Sequence, residues 1–339
     1  MRKLPMTQTH TDPTQDAALP RPSGALRDHG GGLDGAVACF GGERIDWIDL
    51  STGINPCPWP VARVDLPDSA WTALPDRGAA LALEDAARKL WQVPDGMGIL
   101  AAPGASALIA RIPGLANAGR VHIPQPTYNE HAAAFALHGW DIRPQADGPH
   151  QARVIVHPNN PDGRWYGPAD LADAPLVVVD ESFCDVAPDR SLLPHLPHEG
   201  AIILKSFGKF WGLAGLRLGF AIGDPALLAR LAEGLGPWPV SGPALAIGAA
   251  ALADRDWARA TRARLAADAG RLDALMRRAG ATAEGGTDLF RLYAVDDAET
   301  WQARLAAARI WSRIFPWSRT LIRLGLPAPA DWARIEGAL

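Results

Sequence analysis

Lys209 stands in SFGKFWGLAGLRLG, residues 206–219, a stretch of glycine and aromatic residues with little reason to hold a purely solvated lysine. A lysine whose backbone is held close can condense with an aldehyde, and Ser206, Gly208 and Gly212 permit that approach. Eight residues on, Arg217 supplies a guanidinium able to grip a phosphate bidentately, with the Ser206 hydroxyl as a further donor. Asp180 closes the run LVVVD, and a carboxylate at the end of a buried strand is costly unless partnered. A protonated pyridine nitrogen is one suitable partner; capping the next segment is the other use of such a residue. Asn160, in HPNNPDG, offers an amide to a ring oxygen, although the same residues would make a turn unaided. Gly104-Ala105-Ser106 opens a predicted helix, so it either presents N–H groups to a phosphate or is an ordinary cap. Tyr128 supplies a ring that can stack. Together these parts are what a phosphorylated pyridine aldehyde requires. Lys209 and Asp180 are the candidate catalytic residues. Gly104, Ala105, Ser106, Tyr128, Asn160, Asp180, Ser206, Lys209 and Arg217 are the candidate cofactor-binding set.

Such residues work only if something brings them together. Branched apolar runs recur at residues 97–102, 120–124, 153–157, 176–180, 201–205 and 217–222. None alternates cleanly with polar residues, so both faces are expected to be buried, as in a parallel sheet covered by helices. Helix-like segments lie at 81–91, 105–111, 128–138 and 168–174. The pattern predicts an α/β fold with a mainly parallel, doubly wound sheet, whose ligands bind beyond the carboxyl ends of the strands. The reactive residues fall at those ends. After residues 236–239 (GPWP) the character changes to a long amphipathic helix over 255–279, with Leu265, Leu272, Leu275 and Met276 on one stripe. Strand-like pieces follow at 288–294, 310–315 and 320–324, which predicts a smaller α+β second domain. The expected division is a disordered leader over 1–20, a segment 21–50 packing with the small domain, a large domain 51–236 and a small domain 237–339.

Composition removes several classes of function. With 33 Lys+Arg against 37 Asp+Glu, the chain carries no basic footprint for nucleic acid. Its three cysteines, Cys39, Cys57 and Cys184, form no C-x-x-C pair, so neither a disulfide framework nor a metal site is expected and a reducing cytoplasm fits. The most apolar stretch, 240–253, is too short and too broken by Gly and Pro to span a bilayer, and no membrane partner is expected.

The motifs HPNNPDG, Asp180-Glu181 after a valine run, and SFGKFWGLAGLRLG resemble the fold-type-I pyridoxal-phosphate enzymes. The resemblance is nearest to the histidinol-phosphate aminotransferases and threonine-phosphate decarboxylases, and covers roughly residues 22–339. Asn160, Asp180, Ser206, Lys209 and Arg217 match the family pattern in order and spacing. The resemblance implies pyridoxal 5'-phosphate as cofactor, a small phosphorylated amino acid as substrate, and a homodimer.

His29-Gly30-Gly31 and the segment LSTGINP, residues 50–56, are similar to the entry segment of the cobalamin-pathway decarboxylases. There a His and an Asn hold the substrate phosphate. Arg313 and Arg323 match two arginines that, by the same resemblance, grip the substrate's carboxylate and phosphate. His29, Asn55, Arg313 and Arg323 are therefore the candidate substrate-binding residues, with the assignment of anion to arginine left open. The implied reaction is decarboxylation of L-threonine O-3-phosphate to aminopropanol phosphate; an aminotransferase or a non-catalytic partner protein is the alternative. The chain departs from the family at Leu74 and Phe183, where relatives carry tyrosines, and in its phosphate loop APGASA, residues 102–107.

Overall fold

The computed structural model describes residues 29–171 and 174–339, so the expected leader over 1–20 lies outside the described residues. The central sheet has seven strands in the order Gly98–Ala102, Gly219–Gly223, Ala201–Ser206, Leu176–Asp180, Ala152–Val156, Arg120–His122 and Asp141–Arg143. All run parallel except Gly219–Gly223, which is antiparallel to both its neighbours. Period-two alternation divides the apolar runs between two cores. Val154, Val178, Ile202, Leu204 and Ala221 face one cluster, while Ile155, Val177, Val179, Ile203 and Ile222 face the other. Burying each of these Val, Leu and Ile side chains contributes about 1.5–3 kcal/mol of transfer free energy, which is why these runs carry no polar face.

The helix Arg77–Trp91 starts at Asp76, whose side chain accepts from the Ala79 N–H, and buries Leu83 and Ala87. Against it packs the helix Gly242–Ala253, which the sequence placed in the second domain. Gly248 lacks a side chain where a Cβ would stand 2.6 Å from Leu218 Cδ2 and 2.9 Å from Leu83 Cδ1, so the two helices approach closely. The next helix, Arg255–Arg278, is capped by Asp254 and buries Leu265, Leu272, Leu275 and Met276, the stripe read from sequence.

A four-stranded antiparallel sheet follows, in the order Arg313–Phe315, Ser318–Gly325, Phe290–Ala294 and Thr282–Thr287. Sequence did not anticipate the strand Thr282–Thr287, because Gly285 and Gly286 weaken β propensity. They are there for close approach: the Gly286 N–H donates to the Asp162 carbonyl at 2.9 Å, joining this sheet to the loop that carries Asn160. The piece expected at 310–315 is two strands. Arg313–Phe315 joins the antiparallel sheet, while Ile310–Trp311 pairs in parallel with Ile48–Asp49. Leu33, Ala36 and Trp47 pack on Ala306 beside that pairing, which ties residues 29–50 to the C-terminal region. Of the helix expected over 168–174, the described part holds only the 3-10 turn Pro168–Asp170.

Candidate active site

The parallel strands deliver their carboxyl ends to one edge of the sheet, and a cavity forms there. Gly104, Ala105, Ser106, Tyr128, Asn160, Asp180, Ser206, Lys209 and Arg217 all line it, with Ser182 and Phe183 added. The antiparallel strand matters to this gathering. Arg217 precedes Gly219–Gly223, whose start lies opposite the end of Gly98–Ala102, so Arg217 meets the Gly104 turn. Gly104 has φ +83°, and a Cβ there would stand 2.5 Å from the Arg217 guanidinium. Arg217 itself holds a left-handed φ of 53°, a conformation that costs about 1–3 kcal/mol for a residue with a side chain.

Asp180 is 2 % exposed and receives three hydrogen bonds. His131 Nε2 donates at 2.8 Å, the Ser182 N–H at 2.9 Å and the Ser182 hydroxyl at 2.5 Å. Burial pushes its carboxyl up, but these donors outweigh burial and hold it below the usual carboxylate range. Sequence reasoning missed both donors: a histidine on a helix and a serine after a carboxylate carry no spacing signal. Lys209 Nζ lies 5.3 Å from the centre of the Phe183 ring. Burial drives its ammonium down to about 8; Arg323 and Arg217 add to the drop and Asp180 opposes it. Four residues earlier the opposite holds. Lys205 Nζ is 2.6 Å from Glu181 and 3.6 Å from Asp185, and these carboxylates overcome burial and hold it above the usual lysine range. One strand end thus carries a locked cation and a poised amine.

Asn160 lines this inner cavity and also a larger outer one of about 590 Å³, which His29, Tyr128, Arg313 and Arg323 line as well. Asn160 is seated by its neighbour Asn159, which donates to the Pro126 carbonyl at 3.0 Å and accepts from the Thr127 hydroxyl at 2.6 Å. Arg323 is 6 % exposed, donates to Asn160 Oδ1, and donates to the Ser51 carbonyl at 2.7 Å. His29 Nε2 is 2.9 Å from Glu130.

Asn55 is not brought into either cavity. Its Nδ2 donates to the Phe210 carbonyl at 2.8 Å, and its Oδ1 accepts from Arg264 at 2.6 Å and from the Cys57 N–H at 3.0 Å. Its own N–H donates to the Lys209 carbonyl at 3.0 Å. Both ends of the Asn55 amide are thus bonded to protein, and its backbone ties it to the lysine segment.

The residues present suit a phosphorylated pyridine aldehyde. An amine with a lowered pKa faces the cavity, a carboxylate held ionised lies at its floor, and an arginine crosses a turn that only glycine leaves open. A profile of the aminotransferase class I and II family matches residues 45–315. The chain belongs to that family. Within it, the chain is 42% identical over 327 residues to a threonine-phosphate decarboxylase of Sinorhizobium sp, covering 92% of this chain and 97% of the relative. A threonine-phosphate decarboxylase of Pseudomonas aeruginosa is 39% identical, with 93% and 97% covered. Among solved family folds, the histidinol-phosphate aminotransferase of Sinorhizobium meliloti in complex with pyridoxal-5'-phosphate superposes with a TM-score of 0.79 at 20% identity, covering 95% of this chain and 97% of that one.

Proposed function

We propose that this chain is a pyridoxal-phosphate-dependent decarboxylase of L-threonine O-3-phosphate, releasing carbon dioxide and aminopropanol phosphate for cobalamin biosynthesis. The observation that carries the reading is two arginines lining one cleft, the buried Arg323 and the half-buried Arg313, next to the cavity that Lys209 lines, in a chain 42% identical to a threonine-phosphate decarboxylase. When bound, pyridoxal 5'-phosphate supplies an electron sink for the bonds of the substrate's α-carbon.

The protein's residues supply the rest. Arg217, Ser206 and the Gly104-Ala105-Ser106 turn hold the cofactor phosphate, Asp180 holds a proton on the ring nitrogen, and Asn160 and Tyr128 hold the ring. Arg323, next to Asn160 and close enough to depress Lys209, takes the carboxylate. Arg313 and His29, which line the outer cavity and are less buried than Arg323, take the substrate phosphate. Holding both anions fixes which bond of the α-carbon breaks, so binding energy from the phosphate acts on the carboxylate step. After carbon dioxide leaves, Lys209 in its ammonium form donates a proton to the α-carbon and is left as the amine.

The cytoplasm fits its three unpaired cysteines. A homodimer fits the exposed Trp71, Leu74 and Trp238, since Ala70 and Gly242 bring their two segments together. Among the described residues no helix is long and apolar enough to cross a membrane. The test is to incubate the holoenzyme with threonine phosphate, with and without 2-oxoglutarate, and follow carbon dioxide and glutamate. Carbon dioxide without glutamate is expected. Stoichiometric glutamate without carbon dioxide would overturn the decarboxylase reading in favour of an aminotransferase, and neither product would point to a non-catalytic partner.

A further inference from the structure

The outer cavity is walled on one side by the segment Gln125–Tyr128 of the large domain and on the other by a hairpin of the small sheet. That hairpin joins Arg313–Phe315 to Ser318–Gly325 through a two-residue turn, Pro316-Trp317. Two-residue turns favour Gly, Asn and Asp, so turn chemistry gives no reason for a tryptophan at this tip. Yet Trp317 is 53 % exposed and lines the cavity. Its ring lies 4.9 Å from that of Phe315 with 31° between the planes, and the Arg313 guanidinium lies 5.6 Å from the Phe315 ring centre. The tip is therefore a chain of contacts: indole on phenyl, phenyl under guanidinium.

An arginine–phosphate contact open to water is weak, and the same contact beside an apolar wall is several times stronger. We propose that Trp317 is a specificity-determining residue of the cleft, its indole forming the wall that keeps water from a phosphate seated on Arg313 and His29. Phe315 is the backing that holds the indole and guanidinium in register, at a distance suited to cation–π attraction. The inference rests on the decarboxylase reading for its substrate, but not for the binding of phosphate at this wall.

Two measurements test it. In steady state, Trp317→Ala is expected to lose kcat/KM toward threonine phosphate by about tenfold more than toward free threonine, chiefly through KM, with Trp317→Phe falling between. In a titration with inorganic phosphate, tryptophan emission of the wild-type holoenzyme is expected to change with saturation, and that of Trp317→Phe to lack the change. Equal losses toward both substrates, or identical emission responses in wild type and Trp317→Phe, would overturn the proposal. If no carbon dioxide is released from threonine phosphate, the decarboxylase reading fails, while the phosphate titration still decides the place of Trp317.

Discussion

His131 Nε2 donates to Asp180 Oδ2 across 2.8 Å, and the two side chains are 1% and 3% exposed. His131→Phe keeps an aromatic ring and removes the donor. Asp180 sits below its unfolded pKa, so its share of stability is present above the usual carboxylate range and is lost as pH falls through the folded value. Without His131 that share shrinks at neutral pH by about 1–3 kcal/mol, the cost of a lost bond to a buried charge. Urea unfolding at neutral pH reads the loss, and turnover of the holoenzyme should fall with it. A variant as stable and as fast as wild type would show that the pair has no part in the site.

Lys209→Met should abolish turnover while leaving the fold, and it should also change how stability depends on pH. The folded pKa of about 8 lies below the usual lysine value, so between the two the unfolded chain binds the extra proton. Stability of the cofactor-free protein therefore rises as pH increases through that window, and the variant lacks this part of the rise. Thermal midpoints of both proteins from about pH 7.5 to about 9.5 measure it. Parallel curves would mean that Lys209 is not the poised amine.

Asn55→Ala should act as a structural lesion. It removes the acceptor of Arg264 and the donor to Phe210, and is expected to cost about 2–3 kcal/mol of stability. Kinetic losses toward threonine phosphate and free threonine should then be proportionate. A loss confined to the phosphorylated substrate would return Asn55 to the phosphate.

The two arginines should separate kinetically. Arg323→Ala is expected to cost about 2–5 kcal/mol in kcat/KM toward phosphorylated and free amino acid alike, since both carry the carboxylate. Arg313→Ala should instead narrow the gap between those substrates, because the phosphate contact is what free threonine lacks. Ratios of kcat/KM for the two substrates decide it, and the reverse pattern would exchange the anions between the arginines.

The chemistry of this chain was legible where it depends on residue type at fixed spacing. Lys209 with Ser206 and Arg217 sits in one continuous segment, Asp180 ends an apolar run and Asn160 lies in the turn after another, so period and turn chemistry place them at one sheet edge. The apolar runs fix the sheet because a strand buried on both faces tolerates little else. What sequence did not contain was partnership across long separations. His131 reaches Asp180 over 49 positions, Arg264 takes Asn55 over 209, and Arg323 takes Asn160 over 163. Hydrogen bonds of that kind depend on direction within tenths of an ångström, which the packing of helices on the sheet sets and no local pattern encodes. The same cause explains Lys205 and Lys209. Four residues apart on one strand end, they are alike in sequence, and only the tertiary structure gives one a pair of carboxylates and the other an apolar ring and two guanidiniums.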